Sequence, residues 1–270
     1  MRNPREIELL RLLLPIGSEM VIAEIFERTA IQASELLFLL ESLQECGFVF
    51  NRTEQTLSIA QEPELLVPEL ILAGLRTKVI GRDVLVFRET SSTNDRARQA
   101  GVAGATEGLV VFAESQTSGR GTYGRKWLSA PGSGLCFSIL LRSRIPPNRW
   151  PRLVQMAVVA CGDAVENWVM QPVRIKPPND LILGGGKLAG FLLETSDSWD
   201  FQVLGVGINV RSAPEIAGYP TSAIEQYSRG HVSRSALAVD LLTRFEDWYL
   251  RARLADVPVA FERRVLKVSA

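Results

Sequence analysis

The most distinctive stretch of the chain is QTSGRGTYGRKW, at 116–127, where glycines alternate with cationic side chains. Glycines let the backbone approach a ligand closely and turn its N–H groups toward an anion. Arg120, Arg125 and Lys126 can neutralise a phosphate or carboxylate, and Trp127 can stack on a flat ring. The stretch predicts a site for an anionic ligand. The alternative is a flexible basic loop, because the spacing is not the GxxxxGK[ST] of a nucleotide-binding P-loop.

Three further stretches carry candidate ligand-binding residues. Lys176 and Lys187, two of the five lysines in the chain, flank a predicted hairpin in KPPNDLILGGGKLAG. A lysine ammonium suits a phosphate or developing negative charge, although both could be ordinary surface lysines. SSTND, at 91–95, follows a strand and could bind a ligand or cap the next helix. GVGIN, at 205–209, sets two glycines in an apolar strand, which usually marks either a bulge or a close backbone approach.

Histidine and cysteine chemistry is largely excluded. His231 is the single histidine, so a multi-histidine metal site is impossible, and its polar surroundings favour a surface loop. Cys46, Cys136 and Cys161 lie far apart without a CxxC pair, which argues against a disulfide framework and a cysteine zinc site. We therefore expect no metal site built from protein ligands.

Composition and charge point to a two-part protein. With 46% hydrophobic and 22% charged residues, the chain has the balance of a globular protein. It lacks an apolar run of about 18 residues and a signal-peptide pattern, so we expect a cytoplasmic protein without membrane contact. The net charge is zero, yet residues 1–65 hold 5 basic and 11 acidic side chains. The rest of the chain is correspondingly basic, an asymmetry that suggests two modules.

The N-terminal part is predicted to hold three helices and a hairpin. Helical patterns cover 5–14, 21–29 and 33–46, the last capped by Ser34 and ended by Gly47. Two β-like runs then flank a polar turn at 48–60. This is the pattern of a winged helix-turn-helix domain, which we assign to 1–62, with 63–82 as a linker.

From residue 83 the pattern changes to strands interspersed with two long helices. The predicted strands are 84–89, 109–115, 135–143 and 201–210, with a hairpin over 178–196 and helices over 150–169 and 235–254. A further helix begins within 90–100. Strands gathered around few helices favour the α+β class with a mixed sheet.

Together, these motifs resemble those of the bacterial biotin protein ligases, including the biotin operon repressor type. The matching motifs, in the order of that family, are Ser92-Thr93-Asn94, Gly119 to Trp127, Lys176 with Pro178-Asn179-Asp180, Lys187 to Gly190, and Gly205 to Asn209. The resemblance covers about residues 83–255. It implies a catalytic domain over 83–257 with the biotin/lipoate ligase fold, which is like that of class II aminoacyl-tRNA synthetases.

The resemblance also implies an activity. Such a ligase uses ATP and Mg²⁺ to convert biotin to biotinyl-5'-AMP, and transfers biotin to a lysine of a biotin carboxyl carrier protein. It further implies pairing of two copies through sheet edges. Two alternatives stay open: a biotin-sensing transcription regulator without turnover, and a lipoate or octanoate ligase.

The resemblance assigns roles residue by residue. Arg120 and Lys176 would be catalytic, holding the biotin carboxylate and the phosphate. The biotin-binding set would be Ser92, Thr93, Asn94, Gln116, Gly119, Arg120, Gly121, Thr122, Lys176 and Gly190. The ATP and adenylate set would be Arg120, Arg125, Trp127, Lys176, Asn179, Lys187 and Asn209.

Four features depart from the family pattern. Thr122 replaces an arginine of the glycine–arginine motif, which predicts weaker retention of the adenylate, and Pro177 replaces a tryptophan. Residues 258–270 would be a stub where a small C-terminal β-barrel domain often begins. The predicted recognition helix, 33–46, has three glutamates and no lysine or arginine. DNA binding requires cations against phosphates, so we expect DNA to be a poor partner. The alternatives are a packing or dimerisation module, or a weakened transcriptional repressor module that has lost DNA contact.

Overall fold

A computed structural model describes residues 3–143, 145–198, 200–251 and 256–266. The chain forms two compact units, Met1–Leu75 and Arg76–Ala270. The first unit contains α1 (Pro4–Leu13), β1 (Met20–Val21), α2 (Ile22–Thr29), α3 (Ala33–Glu45), β2 (Val49–Arg52), β3 (Thr56–Gln61) and α4 (Pro68–Gly74). The second contains β4 (Asp83–Thr90), α5 (Thr93–Val102), β5 (Leu109–Gln116), β6 (Gly134–Leu141), α6 (Pro151–Val165), β7 (Arg174–Lys176), β8 (Asp180–Leu183), β9 (Gly186–Thr195), β10 (Gln202–Asn209), α7 (Arg234–Arg251) and α8 (Asp256–Arg264).

The first unit packs its helices around a leucine-rich core beside a three-stranded sheet. The sheet order is β1-β3-β2, with both pairs antiparallel. Buried leucines of α1 and α3 supply 7 of the 15 buried residues of this core, as the periodic apolar pattern predicted. Gly47 follows α3 with a φ of +99°, the left-handed conformation that makes glycine an effective helix stop.

The predicted cap of α3 is wrong by two residues. The helix begins after Gln32, whose side chain accepts a bond from a first-turn N–H while the Glu35 carboxylate accepts from the Gln32 N–H. Ser34 lies inside the first turn and is exposed. The capping box satisfies two orphan N–H groups at once, so it outweighs the intrinsic capping preference of a serine.

Much of the segment predicted as a linker is folded. Helix α4 buries Leu70, Ile71 and Ala73 and packs on α1, and the Arg11 guanidinium donates to the Leu72 and Ala73 carbonyls. The boundary between the units lies after Leu75.

The second unit is built on a seven-stranded mixed sheet, which confirms the α+β class with a mixed sheet. The strand order is β4-β5-β6-β10-β9-β8-β7. Strands β4 and β5 are parallel, and the remaining neighbours are antiparallel. Helix α5 packs against β5, β6 and β10, while α6 contacts β8 and β9 and α7 contacts β6. The central strands β6 and β10 are buried along their whole length, because the sheet is covered on both faces.

Residues predicted as a C-terminal stub are partly helical. Helix α8 buries Val257 and Phe261 and packs on α6, and Val265 bridges to Ile175 of β7. Residues 267–270 of that prediction lie outside the described residues. Among the described helices, none is long and apolar enough to cross a membrane.

Candidate functional site

A cavity of about 740 Å³ lies on the face of the sheet that carries α5. Side chains alternate along a strand, so register partners on neighbouring strands point to the same face. Gly207 of β10 pairs with Gly190 of β9, and Gly190 pairs with Asp180 of β8. These residues form the floor, where two adjacent glycines leave a shallow space above the backbone.

The structure brings nearly all of the predicted site residues together around this cavity. The lining includes Ser92, Thr93, Asn94, Gln116, Arg120, Gly121, Thr122, Arg125, Trp127, Lys176, Asn179, Lys187, Gly190 and Asn209. Gly119 is not part of the lining. Its carbonyl accepts the Trp127 N–H at 2.9 Å, and a Cβ there would lie 2.7 Å from the Trp127 carbonyl oxygen. Gly119 therefore serves the turn of the loop itself.

The Trp127 ring lies over the glycine floor. A Cβ on Gly207 would overlap the indole, and one on Gly190 would lie 3.3 Å from it. Lys187 covers the ring, with Nζ 5.9 Å from a ring centroid. A second glycine of the same strand, Gly205, leaves room in the same way for the Asn94 amide. The glycines in GVGIN thus mark close approach, as their position in an apolar strand predicted.

We expect Gly207→Ala to destabilise the second unit by about 1–3 kcal/mol, because the added methyl group overpacks the indole. All five tryptophans lie beyond residue 126, so fluorescence-detected urea unfolding reports on this unit. In a Trp127→Ala background the same substitution should cost almost nothing. Gly230→Ala, where a Cβ meets nothing within 4 Å, is the matched control. Equal costs in both backgrounds would contradict the contact.

A buried polar network lies at the end of the cavity nearest α5. Gln116 Oε1 accepts the Thr93 N–H at 2.8 Å, and the Ser138 hydroxyl lies 2.7 Å from Thr93 Oγ1 and 2.5 Å from Asn94 Oδ1. Ser92 occupies the N-cap position of α5 but makes no side-chain cap bond. Its hydroxyl therefore remains a candidate ligand contact.

Arg120 does not stand as a free cation. Its guanidinium forms a fork with Asp95, at 2.7 and 3.1 Å, and reaches Glu194 at 3.2 and 3.3 Å. Arg120 lowers the pKa of Asp95, and the two carboxylates raise the pKa of Arg120, so Asp95 and Arg120 are both charged at neutral pH.

The two predicted lysines face each other across the other end of the cavity. Lys176 is exposed, with Nζ 5.1 Å from the centroid of the Tyr219 ring. Lys187 Nζ lies 2.7 Å from Asp180 Oδ1, and the Tyr219 hydroxyl donates to Asp180 Oδ2 at 3.4 Å. The hairpin β8–β9 produces this pairing, because it returns Lys187 to the side of the sheet edge where Lys176 ends β7.

The two asparagines predicted for the nucleotide are both buried. Asn179 Nδ2 donates to the Phe191 carbonyl, which holds the entry to β8. Asn209 Nδ2 donates to the Lys187 and Ser222 carbonyls at 3.3 and 3.0 Å, and its buried Oδ1 has no hydrogen-bond partner among the described residues. That oxygen can accept a hydrogen bond from an N–H of a ligand.

The lining is strongly cationic. Its charged members among the described residues are Arg120, Arg125, Lys126, Lys176, Lys187 and Asp180. Within the described part of the chain, no group of three or more histidine, cysteine or acidic side chains could hold a metal ion. Burial raises the pKa of the Cys136 thiol to about 11, so this register partner of Gly207 is neutral at pH 7 and is not a nucleophile.

The lining residue Tyr219 was not foreseen, and neither were two carboxylates that pair with Arg120 from outside the lining. Tyr219 lies in a polar loop at 211–222 with no periodicity, so no local pattern marked it. Asp95 and Glu194 meet Arg120 from positions 25 and 74 residues away in sequence. Their partnership depends on the register of β9 and the start of α5, which sequence patterns do not specify.

Comparisons with known proteins match this architecture. Residues 86–210 match the model of the biotin/lipoate A/B protein ligase family. The chain is 33% identical over 209 residues to the biotin--[acetyl-CoA-carboxylase] ligase of Mycobacterium tuberculosis, covering 74% of this chain and 78% of that protein. It is 29% identical over 259 residues to the bifunctional ligase/repressor BirA of Bacillus subtilis (strain 168), covering 92% and 79%. The biotin protein ligase from Aquifex aeolicus in complex with biotin and ATP superposes with a TM-score of 0.59 at 26% identity, covering 68% of this chain and 79% of that one.

Proposed function

Because this chain belongs to the biotin/lipoate A/B protein ligase family, we propose that it is an ATP-dependent biotin protein ligase. It joins biotin to AMP and passes the biotinyl group to a lysine of a biotin carboxyl carrier protein. The observation that carries the proposal is the cavity itself. One end is a buried polar network, the middle is an indole on a glycine floor, and the other end holds two lysines, which together fit a polar ring, a flat base and phosphates.

In the first step, a carboxylate oxygen of biotin attacks the α-phosphorus of ATP. A P–O bond forms, the bond to the pyrophosphate oxygen breaks, and pyrophosphate leaves. The carboxylate and the α-phosphate are both anions and repel each other, so cations that are already in position lower the barrier. Lys176 would offset this repulsion at the reacting groups, while Arg125 and Lys187 would bind the phosphates. The Asn209 Oδ1 and the Trp127 ring would hold the base.

In the second step, the neutral ε-amino group of the acceptor lysine attacks the biotinyl carbonyl carbon. AMP leaves with the electron pair of the broken C–O bond, and the amine loses a proton. No protein nucleophile is needed, which is consistent with the neutral Cys136. Mg²⁺ would arrive on the ATP phosphates and neutralise part of their charge, a mode it commonly prefers. Asp180 is the lining carboxylate nearest the lysine pair and would be its protein contact.

The test is biotin-dependent release of pyrophosphate from ATP, followed by transfer to a purified biotin carrier domain. Lipoate and octanoate are supplied in parallel, because the family also handles lipoate. Turnover with biotin alone and labelling of the carrier lysine are the expected results. Failure to turn over biotin would overturn the proposal. An enzyme using ATP in this way would act in the cytoplasm.

Thr122 provides a prediction about the intermediate. It lies on the cavity wall where the family motif has an arginine. Thr122→Arg should slow the release of biotinyl-5'-AMP about threefold to tenfold, because one more cation faces the phosphate. Release is measured by chasing preformed labelled adenylate with unlabelled substrate. Thr117→Arg, outside the lining residues, is the control, and an unchanged off-rate in Thr122→Arg would contradict the prediction.

The first unit is proposed to be a winged helix-turn-helix module that has lost DNA binding. Its α3 exposes Leu37 and Phe38, at 45% and 64%, and carries Glu41 and Glu45 but no lysine or arginine. A groove-reading helix needs hydrogen-bond donors and cations. In a mobility-shift experiment with the biotin-gene promoter of its own genome, plus biotin and ATP, we expect no tight complex. A tight, salt-sensitive complex would contradict this part of the proposal.

A further inference from the structure

Two carboxylates hold the cavity loop through one guanidinium. Asp95 Oδ1 and Oδ2 lie 2.7 and 3.1 Å from Arg120 Nη2 and Nη1. Glu194 Oε2 and Oε1 lie 3.2 and 3.3 Å from Arg120 Nη2 and Nε. All three nitrogens of the guanidinium are therefore engaged. Asp95 lies in the first turn of α5, and Glu194 lies on β9, so Arg120 ties its loop to two separate elements.

The loop at 117–127 is a small unit closed upon itself. Arg120 and Lys126 form an isolated antiparallel bridge, and the Trp127 N–H donates to the Gly119 carbonyl at 2.9 Å. Its first residues are paired with the end of β4, through Thr117 N–H to the Thr90 carbonyl at 2.9 Å. These bonds join the loop to itself and to one strand. A displacement of Arg120 should therefore move the whole turn, including the Trp127 indole that lies over Gly190 and Gly207.

The charge balance argues against Arg120 as the main cation for the incoming anions. Two carboxylates contact this one guanidinium, so they offset much of its positive charge. At the other end, Lys176 faces the Tyr219 ring and is exposed. A substrate carboxylate would have to displace Asp95 or Glu194 to reach Arg120, and forked arginine–carboxylate pairs are among the stronger ionic contacts.

We propose that Asp95 and Glu194 form a carboxylate clamp whose role is to position the loop at 117–127 over bound biotin and its adenylate. Asp95 is a positioning residue, acting through Arg120 rather than on the reacting atoms. This rests on the proposed function for the identity of the ligand, whereas the contacts of the clamp join only residues of the chain itself. Glu194 has a second task, since it also accepts from Asn94 Nδ2 at 2.8 Å. Asp95 is thus the cleaner position at which to test the clamp.

Removing the Asp95 charge should loosen the loop without unfolding the unit. Its side chain is 34% exposed, so no buried charge is left behind by Asp95→Asn. In D95N the loop would sample open positions more often, and substrate binding would have to close it. We expect the KM for biotin to rise about threefold to tenfold, with kcat changed less than about twofold, on the scale of a partly exposed forked ion pair.

The same helix provides a matched control. Asp197 pairs with Arg98 of α5 at 2.8 Å, and Asp197 follows β9 and is 96% exposed. D197N therefore removes the same charge from a pair joining the same two regions, outside the residues lining the cavity. D197N should resemble the wild type in KM and kcat. D95E keeps a carboxylate, so its KM for biotin should be closer to that of the wild type than the KM of D95N is.

A second measurement does not depend on turnover. Trypsin cleaves after arginine and lysine, and the exposed Arg125 and Lys126 lie in the loop. Under limited digestion of the ligand-free full chain, mapped by mass spectrometry, D95N should be cut there about threefold to tenfold faster than wild type and D197N. Equal cleavage rates in D95N and D197N, or D95E behaving less like the wild type than D95N, would overturn the clamp. If the wild type fails to turn over biotin, the proposed function fails, while the cleavage rates still decide the clamp.

Discussion

Replacing Lys176 by glutamine is expected to lower kcat for biotin-dependent pyrophosphate release about 100-fold or more, the usual size of the loss when one preorganised charge contact is removed. Lys176 ends β7 at the mouth of the cavity, with its ammonium over the Tyr219 ring rather than in an ion pair with a lining acid. Lys187, by contrast, is 2.7 Å from Asp180. Lys176 is therefore the cation best placed to meet the charge that develops when a carboxylate attacks the α-phosphate.

The same assay distinguishes a catalytic loss from a binding loss. If Lys176 acts on developing charge, kcat should fall much more than KM for ATP rises. Lys78→Gln supplies the control, since it neutralises another exposed lysine of this unit whose backbone N–H donates to Glu246. Lys176→Arg keeps the charge but changes its reach, and should recover only part of kcat. A Lys176→Gln enzyme with wild-type kcat would remove this residue from the chemistry.

The sequence patterns predicted the cavity-lining residues better than the side chains that contact them. Lys176 and Lys187 could be placed on one hairpin because the strand pattern and the glycine turn between them are local signals. The glycines at 205 and 207 could be identified as marking either a bulge or a point of close approach, because these are the usual roles of glycine in an apolar strand. The occupants of those spaces, Asn94 and Trp127, could not be named, since they come from elements whose placement depends on sheet order.

The charges illustrate the same limit. Counting side chains separated an acidic first unit from a basic second one, and it flagged Arg120 as a cation for a ligand. Only the folded arrangement reveals that Arg120 faces two carboxylates, while Lys176 does not share them. Similarly, serine propensity favoured Ser34 as a helix cap, but a reciprocal pair of side chains two residues earlier determines where α3 begins. Preferences of single residues do not include contacts between paired side chains or between side chains that are distant in sequence.

The largest effect on stability is expected at Glu114 and Arg234, a forked ion pair between β5 and α7. The oxygen–nitrogen distances are 2.6 and 3.2 Å, and the side chains are only 4% and 3% exposed. Arg234 Nη1 also donates to the Gly134 carbonyl at 3.2 Å, and the Glu114 carbonyl accepts the Gly132 N–H at 3.2 Å. Both glycines lie in the segment that leads from the loop at 117–127 into β6. The Glu114–Arg234 ion pair therefore fixes the position of that segment.

Glu114→Gln should therefore lower the free energy of unfolding of the second unit by about 3–5 kcal/mol, because it removes one charge of a buried forked ion pair. Fluorescence-detected urea unfolding measures this in the full chain, since every tryptophan belongs to the second unit. Asp197→Asn, which breaks an exposed pair, should change the value by less than about 1 kcal/mol. The double variant Glu114→Leu with Arg234→Met should recover much of the loss, because it removes both buried charges together. Two results would contradict this prediction: a small loss of unfolding free energy in Glu114→Gln, or a double variant less stable than the single one. Either would mean that the hydrogen bonds to Gly132 and Gly134 contribute more to stability than the pairing of the two charges.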